Sequence, residues 1–159
     1  MAKIRILSVV PSSSTGYGCF DGAMLVDWGV RRPRKEKRKH PNIIHAELIT
    51  RVAAHLKPDT ILLPAMKTAV ASALDKTFPR EYRADIILVP LRDVERCFAP
   101  LTHPDRPNHH RVMALIPEFY PELKRFLPRR PRRIYEGPDY WTSMFDAVAQ
   151  AFAWMQKSS

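Results

Sequence analysis

The sequence predicts an α/β fold: a mixed five-stranded sheet, in which an antiparallel three-strand meander is continued by βα units, with helices on both faces. Three observations carry this prediction. The stretch from Lys3 to Val30 holds three apolar runs separated by short turns, together with four of the five glycines, which is the pattern of hairpins. From Ile44 onward, apolar residues recur every four positions, the period of a helix. Apolar strand-like runs and helical stretches then alternate, which implies parallel crossovers.

Each element has its own justification. Lys3 to Val10 is rich in Ile, Leu and Val and reads as a buried strand. A polar turn, Pro11 to Thr15, leads to a second strand from Gly16 to Phe20, and Asp21-Gly22 supplies a hairpin turn before a third strand from Met24 to Val30. Ile44, Leu48, Val52 and Leu56 set a helix over about 42–57, closed by Pro58-Asp59. Thr60 to Leu63 is a short strand stopped by Pro64; a helix from about Met66 to Phe78 and a strand from Asp85 to Pro90 follow. Ten of the 15 prolines lie between Pro79 and Pro138, leaving room for a helix over Asn108 to Ile116 and a turn or two from Pro121 to Phe126. The last helix spans roughly Asp139 to Gln156. Its apolar stripe is Trp141, Phe145, Val148, Phe152 and Met155; the adjacent stripe of Asp139, Thr142, Asp146, Ala149 and Ala153 is the one expected to approach the sheet.

A chain of 159 residues, 45% of them hydrophobic, forms one domain over 1–159 with a proper core, which excludes wholesale disorder. Cys19 and Cys97 are too few for a disulfide framework or a four-cysteine zinc site, so a reducing, cytoplasmic setting is expected. No apolar run approaches the roughly 18–20 residues that cross a bilayer, and the N-terminus enters a strand pattern directly, so neither membrane nor export is expected. The formal charge of +10 points to a polyanionic partner, most commonly nucleic acid.

Ile6-Leu7-Ser8-Val9-Val10-Pro11, followed by three serines and Thr15-Gly16-Tyr17-Gly18, resembles the first hairpin of the RuvC-type Holliday-junction resolvases of the RNase H-like superfamily. Phe20-Asp21-Gly22 and Leu25 to Gly29 continue the likeness, Lys57 to Leu63 fits the family's fourth strand, and Phe145 to Ala151 fits its final helix. The resemblance implies an RNase H-like fold, a homodimer matched to the two-fold symmetry of a four-way junction, and a site for two Mg²⁺ or Mn²⁺ ions about 4 Å apart that hydrolyse phosphodiesters. Hard ions need carboxylate oxygens there. The position of the bridging Asp is Val10, that of the strand-ending Glu is Pro64, and of the final-helix acids Asp146 fits one while Ala149 occupies the other. Asp139, seven residues earlier on the same helical face, is the candidate substitute. Asp146 and Asp139 therefore make at best a weak single-ion site, and their preferred reading is structural, with Asp139 as a helix cap.

The run from Arg31 to His40 carries seven cations in ten positions: Arg31, Arg32, Arg34, Lys35, Lys37, Arg38 and Lys39. A second cluster comprises Lys124, Arg125, Arg129, Arg130, Arg132 and Arg133, held extended by prolines. Both are expected to contact phosphates. Tyr120, Tyr135, Tyr140 and Trp141 could stack on unpaired bases, although core packing is the simpler use of Trp141. Cys97, His103, His109 and His110 match no compact zinc spacing, and Ser12 to Thr15 read as turn formers rather than a phosphate cradle.

The expectation is thus a catalytically inactive RuvC-like protein that binds branched DNA through two basic segments and needs no cofactor to do so. One alternative is an active metal-dependent junction endonuclease with a rearranged site using Asp146, Asp139 and Glu136 or Asp27. Another is a scaffold or regulatory subunit whose charge serves an acidic protein partner.

Overall fold

The computed structural model describes residues 4–101, 109–127 and 140–158. Five strands, β1 (Arg5–Val10), β2 (Thr15–Asp21), β3 (Met24–Arg31), β4 (Thr60–Pro64) and β5 (Asp85–Val89), form one sheet in the order β3-β2-β1-β4-β5. The β1–β2 and β2–β3 pairs are antiparallel, whereas β1–β4 and β4–β5 are parallel. This is the expected meander continued by βα units. The second hairpin, between β2 and β3, turns at Gly22, whose φ of 59° lies in the left-handed region that glycine adopts without cost.

Both faces of the sheet are covered, so β1 needs apolar residues on both sides and reads as a near-continuous apolar run. On one face, Leu7, Val9, Tyr17 and Cys19 pack against α1 (Pro41–Leu56) and α2 (Thr68–Thr77). On the other, Ile6, Phe20 and Leu62 pack against α3 (Leu91–Phe98), α4 (His109–Phe119) and α5 (Thr142–Ser158). Helix α1 starts with Pro41 after His40, whose ring Nδ1 accepts from the Asn42 amide at 3.2 Å. It ends at Lys57, held at φ 50° with its amide donating to the Ala53 carbonyl, immediately before Pro58.

Several expectations need correction. Helix α3 was not anticipated between Pro90 and the proline-rich stretch. Helix α4 continues past Ile116 and carries Pro117 inside it. Helix α5 begins at Thr142, with the Trp141 carbonyl accepting from the amides of Met144 and Phe145, while Asp139 lies outside the described residues. The face of α5 on the sheet is also not the expected one. The Ser8 hydroxyl donates to the Ala147 carbonyl at 2.6 Å, Val148 lies against Gly18, and Ser143 and Met144 lie over Gly16. Helix α5 is buried nearly all round, so its periodicity could not select one face. Among the described residues, no helix is long and apolar enough to cross a membrane.

Candidate functional site

Parallel pairing brings the ends of β1 and β4 together. Ser8 pairs with Leu62, so Val10 and Pro64 stand in the same row two residues further on. Val10 pairs with Gly16, Gly16 with Val30, and Pro64 with Val89, which extends this row across the sheet. Ser8 and Leu62 face α5, and strand alternation turns Val10 and Pro64 the same way. Beneath α5 they line a pocket of about 350 Å³ together with Asp146, Ala149 and Gln150. Four positions far apart in the chain, Val10, Pro64, Asp146 and Ala149, thus meet at one place.

The chemistry there is not that of a two-metal centre. A valine and a proline stand at the ends of the two central strands, and neither side chain has an oxygen with which to bridge hard cations. Among the described residues, no three His, Cys, Asp or Glu side chains gather to hold a metal. The donor set does not fit such a centre.

The rearranged site fares differently at each of its members. Asp146 lines the pocket. Asp27 does not join it: it lies beside Tyr17, on the α1 side of the sheet, where its charge and hydrogen bond add to the effect of burial in raising the Tyr17 phenol. The sheet itself separates Asp27 from Asp146. Asp139 and Glu136 lie outside the described residues.

Two polar pocket residues escaped the sequence reading. Glu95 comes from the unanticipated α3. Gln150 is buried, and its Nε2 donates to Ser8 Oγ at 3.0 Å, the Leu62 carbonyl at 3.3 Å and the Val9 carbonyl at 3.4 Å, tying α5 to β1 and β4. A single glutamine in an apolar helix gives no periodic signal by which to find it.

The first basic segment leaves the sheet at this same end, because Arg31 pairs with Thr15, next to the Gly16–Val10 pair. Residues 32–40 form the connection to α1, and every cation of the run is exposed. Three of the seven already have company. Lys39 bridges Glu47 at 3.0 Å and Glu36 at 3.3 Å, while the guanidinium groups of Arg31 and Arg32 lie 5.6 and 5.4 Å from the ring centres of Tyr17 and Tyr140. Stacking of this kind holds an arginine in place and leaves its edge N–H groups available to phosphate. In the second cluster, Lys124 and Arg125 are exposed, and Arg129, Arg130, Arg132 and Arg133 lie outside the described residues.

Of the aromatics, Tyr120 is buried edge-on against Phe20, and Trp141 packs on Phe126 at 4.7 Å between ring centres, both of them core uses. Tyr135 lies outside the described residues. The Ser12–Thr15 turn closes on itself: Ser12 Oγ donates to the Ser14 carbonyl at 2.7 Å and Thr15 Oγ1 to the Ser12 carbonyl at 3.0 Å. Both hydroxyls are spent locally, as turn formers spend them. His45 sits 3.5 Å from Thr15 Oγ1, and burial, aided by the charge of Lys67, lowers its pKa. Cys97 is half-buried, and His103 and the side chains of His109 and His110 are not among those described.

The sheet order, the parallel β1–β4 pair and the closing helix over it define a RuvC-like, RNase H-like α/β fold. Among solved structures, RuvC of Thermus thermophilus is similar at a TM-score of 0.52, with 14% identity and 96% of each chain covered. That likeness is one of fold. No family model matches the chain, and no curated protein matches its sequence.

Proposed function

We propose that this chain is a RuvC-like nucleic-acid-binding protein without nuclease activity, which holds branched DNA electrostatically and does so as a homodimer. The observation that carries the reading is a juxtaposition. The sheet row that ends in Val10 and Pro64, residues without ligand oxygens, is the row from which an exposed run of seven cations departs. The pocket would supply no hydrolytic centre while the loop beside it neutralises phosphates. About six phosphate contacts would give a slope of log K against log salt near −5.

The test pairs binding with cleavage. An end-labelled four-way junction is incubated in Mg²⁺ and in Mn²⁺ with the unaltered chain, with Asp146→Asn and with Val10→Asp. A salt-sensitive shift on a native gel, with the strands intact on a denaturing gel, is the expected result. Nicks by the unaltered chain that vanish in Asp146→Asn would refute the non-catalytic reading. A slope near zero would refute the electrostatic one. Nicks appearing only in Val10→Asp would mark the site as one carboxylate short of function.

A further inference from the structure

The pocket at the end of β1 and β4 has a chemistry of its own. Its walls are aliphatic, built by Val10, Met66, Val89, Leu91, Val94 and Val112 among others, and Met66 and Leu91 stand exposed. Its volume of about 350 Å³ falls at the small end of the roughly 300–1,000 Å³ typical of small-molecule sites. Among the described residues, three polar side chains line it, Glu95, Asp146 and Gln150, and no Lys, Arg or His does.

Gln150 decides what those groups offer. It is only 4% exposed, and its amide nitrogen faces two backbone carbonyls, which accept and never donate. The amide therefore has one orientation, with Oε1 at the other end. No described group donates to Oε1, and it is not sealed in the interior, since among the described residues no buried side-chain oxygen lacks a partner. Because Gln150 lines the pocket, Oε1 is the acceptor that its amide can offer there. Asp146 and Glu95 add carboxylates, which are acceptors too when ionised. Asp146 has a further interaction of its own, but a carboxylate has room for several donors.

A ligand for this pocket must bring the donors and an apolar body. We propose that it binds a small organic amine, the hydrocarbon part between the aliphatic walls and the protonated nitrogen donating to Gln150 Oε1 and the Asp146 carboxylate. The same groups disfavour carboxylic acids and phosphates, which bring acceptors where the described residues already supply them. The inference does not depend on nucleic-acid binding.

The experiment titrates hexylamine, 1-hexanol and hexanoate separately into the full chain carrying ¹³C-methyl methionine. Met66 lines the pocket, whereas Met24 stands exposed on β3 at the sheet's edge. Hexylamine should shift the Met66 resonance saturably and leave Met24 unmoved, with hexanoate at least about tenfold weaker. Asp146→Asn should weaken hexylamine by about tenfold and leave 1-hexanol unchanged, and Val94→Phe, which fills the pocket, should abolish both. A still Met66 resonance, or hexanoate binding as tightly as hexylamine, overturns the proposal, and both readouts hold on the unaltered protein even if a variant fails to fold. Junction binding measured in parallel reports on the nucleic-acid reading separately.

Discussion

Gly16 is where the sheet and α5 come closest, and Gly16→Ala should be the most damaging single-methyl change in this part of the molecule. A Cβ built there would stand 2.5 Å from Met144 Cα and nearer still to the backbone of Ser143 and Met144. Real Cβ contacts essentially never fall under 3.0 Å, so helix backbone, not a pliable side chain, must retreat by about 0.9 Å at the nearest atoms. That retreat stretches the bonds which seat α5: Ser143 hydroxyl to the Ser14 carbonyl, Ser8 hydroxyl to the Ala147 carbonyl, and Gln150 amide to Ser8. Overpacking costs roughly 1–3 kcal/mol and each impaired buried hydrogen bond about 1 kcal/mol more. The sum is about 3 kcal/mol or greater, against a total stability of order 5–15 kcal/mol. Gly18→Ala is the control. Its added methyl meets Val148 Cγ2 at 3.1 Å and Phe20 Cε2 at 3.3 Å, both side-chain atoms able to give. Each variant loses the same unfolded-state freedom of glycine, so the difference between them isolates the backbone clash. In urea unfolding, Gly16→Ala should lower the midpoint by about 1 M or more, and Gly18→Ala by a fraction of that. Equal midpoints for the two variants would show that the α5 backbone yields to the added methyl without loss.

Alkaline pH should weaken the fold with a defined onset. Burial pushes the Cys19 thiol up from 9.0 to about 11, and the Tyr82 and Tyr120 phenols up from 10.0 to about 12. Below about pH 9 both states keep these groups neutral; above it the unfolded chain ionises first, so stability is level to pH 9 and falls beyond it. Urea midpoints should show this fall, Cys19→Ala should flatten its first part, and a level profile through pH 10.5 would contradict it, at a scale of about 2 kcal/mol for Cys19. Tyr82→Phe removes the hydroxyl that donates to the Pro58 carbonyl at 2.5 Å and should cost about 1 kcal/mol in the same assay. Lys57→Gly should stabilise by up to about 1 kcal/mol, because φ 50° is strained for lysine and not for glycine; a loss of stability would show that the lysine side chain matters more than its backbone.

The fold was legible because its signals are local and periodic. Gly22 marks the second hairpin, Ile44 to Leu56 mark α1, and the βα alternation marks the parallel half. Helix α3 was missed for want of length: eight residues with four charges, although Leu91, Val94 and Phe98 already stand at spacings of three and four. The sheet-facing side of α5 was misjudged because Met144, Phe145, Ala147, Val148 and Ala149 surround the axis, and a helix apolar all round names no face. Of the site, the convergence of Val10, Pro64, Asp146 and Ala149 could be anticipated only through resemblance to a family whose residues meet there. Asp27 could not be excluded in sequence, since which side of the sheet it takes depends on register. Gln150 and Glu95 were invisible for a related reason: each gains its meaning from groups distant in the chain, or from an element not foreseen.

Helix α5 occupies the middle of one face of the sheet, yet it is encoded by residues 142–158, after all the strands it covers. During synthesis the other face can be closed by α1 and α2 as soon as β4 and α2 emerge, while Ile6, Phe20 and Leu62 wait for α5, which is made after every strand of the sheet. Vectorial folding from the N-terminus must therefore pass through a half-covered sheet, whose exposed side is apolar and whose pairings are long-range. Such a chain folds slowly and is prone to association while it waits. A chain stopped at residue 140 should bind a hydrophobic dye strongly and resist proteolysis poorly, whereas one ending at 158 should do neither; equal protection of the two would place the decisive core elsewhere.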